Sequence, residues 1–137
     1  METKSVIALQ SGLTIRAILC ETGDYVDLAP RLRKLWTLPQ VKELIGQGNQ
    51  LSIGDDSSVP STPTVPAVTF YNFRDFMRYF ENMFCEEFYI IDEGDGIWYY
   101  ASPGSRTVTL LDTKLQPLFR KLANPDSDTG YCYVHNH

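Results

Sequence analysis

The apolar positions of this chain follow a period of two near both ends and a helical period in between. Ser5–Gln10 (SVIALQ) and Leu13–Cys20 (LTIRAILC) are β-branched, apolar runs with only Ser11 and Gly12 between them, a spacing that predicts a tight hairpin. In the second run Leu13, Ile15, Ala17 and Leu19 alternate with Thr14, Arg16, Ile18 and Cys20, so the first set is expected on one buried face. Glu21–Val26 (ETGDYV) reads as a turn. Asp27 is the expected N-cap of a helix whose stripe is Leu28, Leu32, Leu35 and Trp36, with Pro30 tolerated in the first turn. Thr37 and Gln40 have capping-box spacing. They open a second helix with Val41, Leu44 and Ile45 inward and Gly46 and Gly48 as its stop.

The segment 54–67, rich in Pro and Ser, predicts an exposed loop, and Val68–Tyr71 a short strand. Asn72 then caps a third helix, where Phe73, Phe76, Met77, Phe80 and Phe84 form an aromatic stripe suited to a core. Phe88–Asp92 and Ile97–Ala101 flank Glu93-Gly94-Asp95-Gly96 as a hairpin, and Thr107–Leu111 adds a strand by alternation. A fourth helix is expected from Thr113, with Leu115, Leu118, Phe119 and Leu122 inward and Pro117 near its start; Tyr131–His137 is an edge strand or loose. The fold class is therefore α+β: an antiparallel sheet, made of the N-terminal hairpin and a C-terminal meander, packed by about four helices. Residues 1–137 are expected to form one domain, with the loop at 54–67 exposed.

Charge narrows the partners. A net charge of −5 repels phosphate backbones and disfavours nucleic acid, while basic protein surfaces suit it. No secretory leader and no apolar run of membrane-spanning length is visible, and the three cysteines have no paired spacing. A cytoplasmic protein with reduced thiols is expected.

No reactive centre is legible. The two histidines, His135 and His137, are within the last three residues, and Cys20 ends an apolar strand as an inert thiol would. Cys132, His135 and His137 match no zinc spacing, and Asp92–Gly96 lacks the ligand series of a calcium loop. No catalytic residue, metal or cofactor is assigned. Binding is easier to motivate: Arg31, Arg33 and Lys34 are the densest basic cluster and adjoin Trp36. With Tyr25, Trp98 and Tyr100 they are the candidate ligand residues, Arg gripping phosphate and rings stacking on a base. The competing expectation for the basic residues is a solvated helix face.

Between Thr3 and Gly54 the chain resembles a family of small phage and prophage proteins. That family carries Ser-x-Ile-Ala, Ile-x-Cys-His-Trp-Asp-Gly-Tyr and Lys-Val-x-x-Leu-Ile-x-x-Gly segments, then Ser-x-Gly. The matching positions are Ser5, Ile7, Ala8, Ile18, Cys20, Tyr25, Val41, Leu44, Ile45, Gly48, Ser52 and Gly54, and a later Trp-Tyr-Tyr strand is matched by Trp98–Tyr100. Glu21-Thr22-Gly23-Asp24 stands in place of His-Trp-Asp-Gly, so no role of that histidine or tryptophan carries over. The resemblance implies a phage-encoded accessory protein, acting in the cytoplasm of the bacterial host against a defence system. Its expected mode is to bind and inhibit a host defence protein. The alternatives are a homo-oligomeric sponge for a nucleotide immune signal, a small phosphodiester hydrolase acting on such a signal, and a virion component.

Overall fold

The computed structural model describes residues 3–111. Its sheet has eight strands: β1 (Ser5–Ser11), β2 (Thr14–Cys20), β3 (Gln50–Ile53), β4 (Ser58–Pro60), β5 (Val68–Phe70), β6 (Glu87–Asp92), β7 (Trp98–Ala101) and β8 (Thr109–Leu110). Three helices accompany them among the described residues: α1 (Tyr25–Leu35), α2 (Leu38–Gln47) and α3 (Phe73–Glu81). The strand order is β4-β3-β2-β1-β6-β7-β8, with β5 pairing the other half of β2. The fold is α+β, as the hydrophobic pattern implies, but the sheet is mixed rather than antiparallel. Hairpin and meander join through parallel pairing of β1 with β6, and β2 pairs in parallel with β3. The helix expected from Thr113 and the segment with Cys132, His135 and His137 lie outside the described residues.

Local chemistry explains the elements and two shifts from expectation. The β1–β2 turn is Gly12-Leu13, closed by the Ser11↔Thr14 pair, and Gly12 takes the positive φ of +60° that a two-residue turn opening with glycine requires. Leu13 is therefore at the tip and exposed, not on the buried face. Helix α1 begins earlier than expected because Asp24, not Asp27, is the N-cap; its carboxylate accepts the Asp27 N–H at 3.0 Å. Thr37 and Gln40 form the capping box, and Asn72 caps α3 as expected. Within the 54–67 segment, Ser58–Pro60 pairs with β3.

Both faces of the sheet are covered. On one, Ile7, Ile18, Tyr89, Ile91 and Trp98 meet Leu28, Leu32, Trp36, Val41, Leu44 and Ile45 of the α1–α2 corner. On the other, Val6, Ala8, Ile15, Ala17, Phe88 and Ile90 meet the α3 stripe. Phe76 centres that layer, its ring edge-to-face with Phe70, Phe80 and Phe88 at 5.7–5.8 Å. Phe73, Phe76, Met77 and Phe80 of the aromatic stripe are core, whereas Phe84, expected on the same face, lies beyond the end of α3 and is exposed.

Candidate functional site

The seven residues singled out in the sequence fall into three places. Arg31 reaches from α1 to the β3–β4 hairpin, where its Nε donates to Asp55 Oδ1 at 2.9 Å and its Nη1 to the Ile53 carbonyl at 3.0 Å. Trp36, the C-cap of α1, donates its indole N–H to the Gly54 carbonyl at 2.9 Å, and Trp98 donates its own to the Trp36 carbonyl at 3.0 Å. Both indoles are deep in the core, at 6% and 5% exposure, so neither offers a face on which a base could stack. Arg33 and Lys34 project into solvent from the outer side of α1. At the other end of that helix the Tyr25 and Tyr100 rings meet edge-to-face at 4.9 Å.

What Arg31 and Trp36 build is a fixed turn. Three successive residues, Ile53, Gly54 and Asp55, are tied to α1. The turn then stands off α2 across a cleft of about 380 Å³. One wall is a single stripe of α2, Gln40, Glu43, Leu44 and Gln47 at i, i+3, i+4 and i+7; the other is Asp56, Ser57 and Ser58, with Trp36 at the corner. Among the described residues, two carboxylates and no cation line it. Among the described residues neither Glu43 nor Asp56 has an ion pair or a side-chain hydrogen bond. A second cleft of about 360 Å³ opens beside the start of α1, lined by Thr3, Thr22, Gly23, Asp24, Asp27, Leu28, Arg31, Ser52 and Ile53. Its single cation, Arg31, is already held by Asp55.

A polar row runs under the loop before α1. Register pairs place Gln50, Cys20, Ser5 and Glu87 side by side on β3, β2, β1 and β6. The row is roofed by backbone: Cys20 Sγ–H donates to the Thr22 carbonyl at 2.9 Å, and Tyr89 O–H to the Gly23 carbonyl at 3.3 Å. Gly23 lies against Ser5 so closely that a Cβ there would stand 2.3 Å from the Ser5 hydroxyl. Half-buried Glu87 accepts from the Tyr100 hydroxyl and from the Tyr25 N–H. Burial raises its pKa above the usual carboxylate value, and the Tyr100 hydroxyl opposes that shift.

Burial also raises the two described thiols, Cys85 to about 11, which makes them poor nucleophiles at neutral pH. Among the described residues no three His, Cys, Asp or Glu side chains are grouped to hold a metal, and no helix is long and apolar enough to cross a membrane.

Sequence reasoning missed Glu43 and Asp56. Glu43 follows Gln40 by three on a capped helix, so its face was readable; Asp56 sits in a loop whose return to α2 no local pattern announces. No protein-family model, curated protein or solved structure matches the chain.

Proposed function

We propose that this chain is a phage-encoded accessory protein that counteracts a bacterial defence system by binding a host protein through its acidic α1–α2 side. The observation that carries this reading is the pair of carboxylates, Glu43 and Asp56, that have no partner among the described residues and line a cleft to which no described cation contributes. A partner with a basic surface matches that charge, and opposite potentials speed and orient docking. The nucleotide-sponge reading fits less well, because Arg31 is paired with Asp55 and the Trp36 and Trp98 rings are buried. The hydrolase reading would need a reactive group held around a pocket, and among the described residues the two clefts bring together carboxylates without an accompanying thiol or histidine.

The test is capture from a lysate of the bacterial host, coupled to phage plating on cells that express the protein. The expected result is one basic host protein retained in stoichiometric amount, together with restored plating of a phage that the defence system normally restricts. A nucleotide released intact on heat denaturation would favour the sponge, and a changed nucleotide the hydrolase. A native mass spectrum of the same sample reads subunit number and retained molecules together.

A further inference from the structure

We infer that Phe84 is a rigid aromatic anchor for a partner protein, one that offers an apolar pocket with a basic rim. This goes beyond the reading above, because α3 covers the face of the sheet opposite the α1–α2 corner and the contact does not involve Glu43 or Asp56. Two observations meet at this residue. Its φ of +64° lies in the left-handed region, where a Cβ is unfavourable and where helix ends ordinarily place glycine. Its side chain is 80% exposed, more than any other large apolar side chain among the described residues. The fold therefore bears the strain without the packing that would offset it. Outliers of this kind gather at functional sites.

The neighbours of Phe84 keep the ring outside. Met83 and Cys85, on either side of it, pack against the α3-side core. Four successive N–H groups are bonded: Met83 and Cys85 to the Phe80 carbonyl at 3.1 Å, Phe84 to that of Glu81 and Glu86 to that of Lys4 at 2.9 Å. The backbone under the ring is thus set before any partner docks, and a preorganised aromatic loses little conformational entropy on binding. Phenylalanine has no polar group to satisfy, so its complement is an apolar pocket that takes it out of water. Charge sets the rim. Residues 81–87 carry three carboxylates, Glu81, Glu86 and Glu87, and no cation, with Lys4 beside Glu86. Lysine or arginine around the pocket matches them, whereas a second copy of this chain would bring the same carboxylates to a symmetric contact.

The inference is tested by placing the photo-crosslinker p-benzoylphenylalanine at position 84 of the full chain, expressed in the bacterial host, and mapping the joined peptides by mass spectrometry. The control carries the same group in place of Tyr71, which is 70% exposed. The expected result is one host protein joined at position 84 and not at 71, through apolar residues bordered by Lys or Arg. Joins shared by both positions, a join to a second copy of this chain, or no join at all overturn the inference. Phe84→Gly gives a second readout, because relief of strain and loss of the ring act in opposite directions. Its thermal midpoint should rise while recovery of that host protein falls by about tenfold or more, as removal of a buried aromatic hot spot does. Equal recovery overturns the inference, and so does a lower midpoint, which would give the ring a role inside the fold. The double exchange Glu43→Gln/Asp56→Asn separates the two claims. A host protein lost with Phe84→Gly but retained by the double variant upholds the anchor and removes the acidic-side reading. One lost with the double variant but retained by Phe84→Gly upholds that reading and sinks the anchor.

Discussion

The indole N–H of Trp36 donates to the carbonyl of Gly54 at 2.9 Å, so the end of α1 holds the hairpin turn that carries Asp56. Trp36→Phe keeps an aromatic ring in the core but removes the donor and some volume. The expected cost is about 1–3 kcal/mol, from an unpaired carbonyl and a small void. Capture of the host partner should weaken in the same variant although both carboxylates remain. Chemical denaturation and comparative pull-down check the two halves; wild-type capture by a destabilised Trp36→Phe protein would show that the turn needs no such support.

Arg33 and Lys34 carry the opposite expectation. They are solvated, so Arg33→Ala/Lys34→Ala should change stability by less than about 0.5 kcal/mol. Removing two positive charges from the acidic side should leave capture of a basic partner unchanged or stronger. Loss of capture in this variant would point back to an anionic ligand, and comparative pull-down at one ionic strength is the measurement.

Much of this was legible in the sequence, and the failures share one cause. The capping box at Thr37, the Asn72 cap, the β1–β2 hairpin and the α3 stripe are all set within a few residues, and each appears as the pattern implies, apart from a hairpin turn one residue later at Gly12-Leu13 and the exposed Phe84 at the end of the stripe. The parallel pairing of β1 with β6 joins residues far apart in the chain, and no turn residue encodes it. A signal did exist: Phe88–Ile91 is buried on both faces, and such unbroken apolar runs belong to interior strands flanked by helices on either side. The candidate site divides the same way. Arg31 and Trp36 do meet at one place, but their partners are the carbonyls and carboxylate of Ile53–Asp55, which convert an apparent ligand cluster into scaffold.

Glu87 makes the fold sensitive to pH in a definite direction. Its folded pKa lies above the ordinary carboxylate value, so between those two values the folded state binds more protons than the unfolded state. Its contribution is therefore most favourable below the ordinary value and declines as pH rises through the raised one. Subtracting the stability of Glu87→Gln from that of the wild type, by denaturant titration at several pH values, isolates this group. The difference should fall with rising pH across that window. A flat or rising difference would mean that the Tyr100 and Tyr25 hydrogen bonds outweigh burial.

Phe84 ends α3 in a conformation that favours glycine. It has φ of +64°, its N–H bonds to the Glu81 carbonyl, and the Cys85 N–H bonds to the Phe80 carbonyl, the two bonds of a Schellman cap. With its ring 80% exposed, little packing offsets that strain. Phe84→Gly should raise stability by about 0.5–1 kcal/mol. Thermal unfolding monitors it, and a lower midpoint would show that the ring contributes contacts that outweigh the relief.

The most direct test of the whole account is calorimetric titration of the captured host protein at low and at high salt. A contact made by Glu43 and Asp56 with a basic surface predicts a fixed stoichiometry, no turnover, and affinity that weakens by about tenfold or more as the charges are screened. Affinity indifferent to salt, or inhibition at a small fraction of the partner's concentration, would contradict it.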